Sequence, residues 1–110
     1  MNYRPNPSQQ KQIKQDADKL LHMAVNFNKE TSKPDYGNFK RKASLMNSIA
    51  GFFQAHDSEY TDAVVDEAER ISLEALDKGD IALNDAWAVI YTVSLKKRWE
   101  SNGKPTINIR

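Results

Sequence analysis

The 110-residue sequence contains no cysteine, only four glycines, four prolines and two histidines, and no long uninterrupted apolar run. Without cysteine there is no disulfide framework, no thiolate nucleophile and no thiolate metal site, which excludes a disulfide-dense secreted scaffold. Gly37, Gly51, Gly79 and Gly103 stand far apart, whereas phosphate-binding loops need closely spaced glycines ahead of a helix. The longest apolar stretch, Ala86 to Leu95, is interrupted by Thr92 and Ser94 and covers about half of the ~20 residues that span a bilayer. The first ten residues lack the apolar core and cleavage site of a secretory signal. No membrane association and a cytoplasmic location are therefore expected.

The two histidines, His22 and His56, are the only side chains poised for acid–base work near neutrality, and both fall at polar positions. No Glu-x-x-His pair and no His-Glu-x-x-His run occurs, so neither a carboxylate-bridged metal pair nor a zinc site is expected. The serines lack a Gly-x-Ser-x-Gly elbow. The expectation is a non-enzymatic chain with no catalytic, cofactor-binding or metal-binding residues.

What the sequence does contain is helical periodicity. Its length suits one domain, which would bury about two-thirds of the surface of the unfolded chain. Ile13, Ala17, Leu20, Ala24 and Phe27 recur at spacings of four and three, with Leu21 and Met23 beside them, marking one face of a helix over 9–29 capped by Ser8. A second helix is expected over 38–55, with Phe39, Ala43, Met46, Ile49, Ala50 and Phe53 inward. A third, over 59–78, turns Tyr60, Val64, Ala68, Ile71 and Ala75 inward and stops at Gly79. Asn84 is expected to cap a fourth helix over 84–102, with Asp85 in its first turn and Lys96, Lys97 and Arg98 near its end, each charge suited to the helix dipole.

The fourth helix is apolar on two sides. Trp87, Ala88, Tyr91, Leu95 and Trp99 share one face, taken as the core side, and Ala86, Val89 and Val93 lie opposite, where they would meet a partner or a second copy in a homodimer. The β-branched run Val89 to Val93 offers a strand as the alternative, and the capping residues favour the helix. An all-α, compact four-helix bundle-like single domain over 1–110 follows, with short flexible termini at about 1–7 and 104–110.

A net charge of +1 conceals segregation along the chain. Residues 1–56 hold nine Lys/Arg against four Asp/Glu, a balance of +5. Residues 57–85 hold two against ten, a balance of −8, and residues 86–110 hold five against one, +4. On the third helix Glu59, Asp62, Asp66 and Glu69 repeat at three and four, Asp77 continues the stripe, and Leu73 sits among them. An apolar residue ringed by carboxylates suits contact with another protein that carries a basic surface. The expected function is a protein–protein interaction module, an inhibitor or regulator acting through this acidic face. The alternative is a nucleic-acid-binding regulator using Lys40, Arg41 and Lys42 with Lys96, Lys97, Arg98 and the ring of Trp99.

Overall fold

The computed structural model describes the backbone of residues 4–31 and 37–101 and the side chains of 4–30 and 39–97. Four α-helices follow one another: α1 (Pro7–Thr31), α2 (Gly37–Ala55), α3 (Ser58–Asp77) and α4 (Ile81–Ser101). Among the described residues there is no strand, and Val89 to Val93 are helical. The expected all-α, bundle-like architecture is the one observed. Of the termini expected to be flexible, 1–3 and 104–110 lie outside the described residues, while Pro7 already belongs to α1.

The helix ends show which local signals prevailed. Asn6, and not Ser8, caps α1: its Oδ1 accepts the Gln9 N–H at 2.8 Å and its own N–H donates to Gln9 Oε1 at 2.9 Å. This reciprocal box leaves Pro7 at the first helical position, where a missing N–H has no consequence. Asp57 caps α3 by accepting the Tyr60 N–H at 2.9 Å. At the far end Gly79 adopts φ +82°, and its N–H donates to the Leu76 carbonyl at 3.0 Å while the Asp80 N–H reaches back to Ala75 at 2.8 Å. These two bonds close a Schellman turn around a left-handed residue that glycine adopts without strain.

Asp80 then begins the next helix. Its Oδ1 accepts the Leu83 N–H at 3.1 Å and its carbonyl accepts the Asn84 N–H at 3.2 Å. α4 therefore starts three residues earlier than the sequence suggested. Asn84, freed from capping, donates from Nδ2 to the Ser72 carbonyl at 3.0 Å and ties α4 to α3.

One core joins the four helices: Ile13, Ala17, Leu20, Leu21 and Ala24 of α1, Ile49 and Phe53 of α2, Val64, Val65 and Ala68 of α3, and Ala86 and Ile90 of α4. α1 packs against all three other helices, whereas α2 meets chiefly α1 and a shorter length of α4. The Cα extents of 45 × 40 × 19 Å describe a slab about two helices thick, given interaxial distances of about 8–10 Å. The buried hydroxyls of Thr61, Ser72 and Ser94 donate to carbonyls three residues earlier in their own helices, so none is left unsatisfied.

Two inward faces differ from expectation. On α2 only Ile49 and Phe53 are fully buried, and Phe39 is 73% exposed, because the helix packs through its C-terminal half. On α4 the core side is Ala86, Ile90 and Ser94, with Trp87, Val89 and Val93 packed around it. The partner face proposed for Ala86, Val89 and Val93 is corrected accordingly: it is spent inside the fold, and Ala88, Tyr91 and Leu95 turn outward. A helix that is apolar all round is oriented by fit, and the small Ala86 allows closer approach to α1 than a tyrosine would.

The two ends of α2 thus contribute unequally. Phe53→Ala is expected to cost about 3–5 kcal/mol and Phe39→Ala less than about 0.5 kcal/mol, compared by urea denaturation. Equal losses would mean that the N-terminal half of α2 is packed.

Candidate functional site

The acidic helix divides its carboxylates between two flanks. On one, Arg70 donates to Glu67 and, at 2.8 Å, to Glu74. Hydrogen bonding and attraction to Glu67, with a smaller contribution from Glu74, raise the Arg70 pKa above its ordinary value. On the other flank Glu59, Asp66, Glu69 and Asp77 are exposed, and their carboxylates make no ion pair or hydrogen bond among the described residues. Asp62 belongs to the same stripe but is half-buried and engaged within the fold, where its charge acts on Lys97. Lys42 does not reach α3, since its Nζ lies 5.4 Å from the centroid of the Phe27 ring in a cation–π contact.

The unpaired flank borders a groove of about 1010 Å³. Glu69, Leu73 and Leu76 line it from α3, Asp85 and Ala88 from α4, and Val25 from α1. Leu73 is 54% and Leu76 47% exposed, and Ile81 stands equally open just beyond the α3–α4 turn. Trp87 also lines the groove and stacks on Tyr91 with centroids 4.9 Å apart. Its Nε1 is buried and has no hydrogen-bond partner among the described residues.

Sequence reasoning brought Glu69 and Leu73 to this place and missed Leu76, Asp85 and Trp87. Leu76 was legible, since it lies three residues beyond Leu73 on the same side of the helix. Asp85 and Trp87 depended on which arc of the doubly apolar α4 turns inward, which spacing alone does not decide.

The basic residues do not converge. Lys40 and Arg41 lie in the first turns of α2, and Arg41 Nε is 3.3 Å from Glu30 Oε2. Lys97 of α4 lies beside the other end of α2, where its Nζ donates to the His56 carbonyl and lies 3.5 Å from Thr61 Oγ1. Sixteen residues of helix separate the two places by roughly 24 Å. Lys96 has a partner within the fold, and the side chains of Arg98 and Trp99 lie outside the described residues.

Both histidines are exposed. The Nδ1 of His22 lies 2.7 Å from the Asp18 carbonyl, and the ring of His56 rests against Phe52 and Tyr60 at 4.6 and 5.0 Å. Among the described residues no cluster of three or more His, Asp or Glu side chains could hold a metal ion, and no helix is long and apolar enough to cross a membrane. Comparison with protein-family models, with curated proteins and with solved structures gives no match.

Burial holds the Lys97 ammonium below the ordinary lysine pKa, against the opposing attraction of Asp57 and Asp62. Between the lowered and the ordinary value the folded chain binds fewer protons than the unfolded chain, so this lysine makes stability rise as pH climbs through that interval. Lys97→Met is expected to remove that rise from urea midpoints measured across the alkaline range. An unchanged slope would assign it to other groups.

Proposed function

We propose that this protein is a non-enzymatic interaction module that binds, and thereby inhibits or regulates, another protein carrying a basic surface with an apolar anchor. The observation that carries this reading is the juxtaposition of Leu73 and Leu76 with the unpaired carboxylates of Glu69 and Asp85 around one groove. Covering the leucines would release about 25 cal/mol for each Å² of apolar surface removed from water. The carboxylates contribute little net affinity once desolvated, but they steer a cationic partner and reject an anionic one. Leucines and solvated carboxylates supply affinity and orientation, which is why the reading assigns no bond-making step.

The charge distribution also gives the site a direction. Arg70 offsets one of the two charges of Glu67 and Glu74, so the field of α3 is weaker on that flank than on the flank beside the groove. A nucleic-acid reading has less support, because its cations stand at opposite ends of α2 and Arg41 and Lys97 already serve contacts within the fold.

The double variant Asp66→Lys/Glu69→Lys and, separately, Leu73→Ser are expected to abolish partner capture from the native host while leaving the melting temperature within a few degrees of wild type. Glu67→Gln, on the compensated flank, is expected to retain it. Identical sets of captured proteins from all four forms would remove the groove as the site, and a mobility shift with mixed DNA or RNA at low salt would instead support the nucleic-acid alternative.

A further inference from the structure

We infer that the groove between α3 and α4 receives the N-terminal end of α2 from a second copy of this chain, forming a two-fold dimer. Phe39 is the most exposed large apolar side chain among the described residues, and Ala43, one turn further on, is exposed behind it. Lys40 beside it is exposed and makes no hydrogen bond or ion pair among the described residues. An aromatic ring next to an unpaired cation complements a groove whose walls are Leu73 and Leu76 and whose free charges include Glu69 and Asp85.

Phe39 is held outward by its neighbours. Arg41 is bound to Glu30 of α1, and Lys42 lies over Phe27 of α1, so the first turns of α2 are tied to α1 while Phe39 stays in solvent. The groove, at about 1010 Å³, has ample room for a phenyl ring with its flanking residues.

The placement of the two patches selects the symmetry. Val25, Asn28 and Lys29 of α1 line the groove, while Phe27 and Glu30, from the same two turns, hold the start of α2. Ridge and groove therefore flank one end of α1. A two-fold axis passing near that end sets each ridge against the other copy's groove, giving an isologous interface that repeats the same contact twice and closes. The +5 balance of residues 1–56 against the −8 balance of residues 57–85 favours this pairing over one between like patches. The dimer covers the groove assigned above to a partner, so copy and partner compete for it, but the pairing does not depend on that assignment.

The test is the mass of the full chain by sedimentation equilibrium, from micromolar to about millimolar protein at low salt. A dimer is expected that dissociates as salt rises. Phe39→Ser should weaken it about 10-fold or more with an unchanged melting temperature, since the residue is solvent-exposed in the monomer. Lys40→Glu and Glu69→Lys should each weaken it, and the two together should restore it. A monomer at every concentration, a dimer indifferent to Phe39→Ser, a charge swap that fails to rescue, or an open series of larger species would each overturn the proposal. Loss of a captured protein with Glu69→Lys but not with Phe39→Ser would sustain the partner reading on its own, so the two readings fail separately.

Discussion

The stripe of Ile13, Ala17, Leu20, Leu21 and Ala24 along α1 is the surface on which every other helix is laid. Ala17 and Ala24 are completely buried, as are Ala68 of α3 and Ala86 of α4. Where methyl groups face each other, helix axes come to the near end of the usual 8–10 Å range, and larger residues such as Leu20, Leu21 and Ile90 fill the space between those approaches. Because α2 and α3 scarcely meet while α1 and α4 each pack against all the others, the molecule spreads into a slab and not a square bundle. In a slab the outer helices are covered on fewer sides. The exposed Phe39, Leu73, Leu76 and Leu95 are a consequence of that geometry, and they are apolar surface that the fold leaves open.

The tight connection between α3 and α4 gathers part of this exposure around one groove. Three residues, Lys78, Gly79 and Asp80, end one helix and begin the next, with Asp80 serving both as the last donor of the Schellman turn and as the first cap. So short a link requires α4 to run back along α3, and the Asn84 bond to the Ser72 carbonyl holds the two helices in register. Glu69 and Leu73 of one helix then face the same groove as Asp85 and Ala88 of the other. Carboxylates separated by 16 residues in the chain become neighbours because of where one glycine and one aspartate fall.

How far the sequence disclosed this depended on how many sides of each helix are apolar. On α1 and α3 the periodic residues occupy one arc, and the core read from spacing is largely the core observed: Ile13, Ala17, Leu20 and Ala24, then Val64, Ala68 and Ala75. On α2 and α4 the apolar arcs are wide, and spacing alone does not say which part a neighbour covers. That choice belongs to the assembled packing, and it sends Phe39 outward and Ala86 inward. The cap of α4 was ambiguous for a different reason. Asp80 and Asn84 are both good capping residues four positions apart, and only the Schellman turn before Asp80 decides between them. The acidic stripe of the candidate site was visible from its spacing, whereas the choice Arg70 makes was not, because Asp66, Glu67 and Glu74 all stand three or four residues from it and it pairs with the last two.

That asymmetry bears on why the stripe exists. Like charges at these helical spacings cost a few tenths of a kcal/mol per pair, and a lysine or arginine in place of Asp66 or Asp77 would remove the cost with no demand on the core, since both positions are exposed. The chain has basic residues in number, 16 Lys/Arg in all, yet places only Arg70 and Lys78 between residues 57 and 85. Leucine at positions 73 and 76 compounds the arrangement, because the half of each side chain left in water adds nothing to folding and raises the risk of association. The unpaired carboxylates and the exposed halves of the leucines do nothing for the stability of the isolated domain. Under the proposed reading each becomes favourable when a cationic, apolar surface covers the groove and turns both the local field and the wetted leucines into binding free energy.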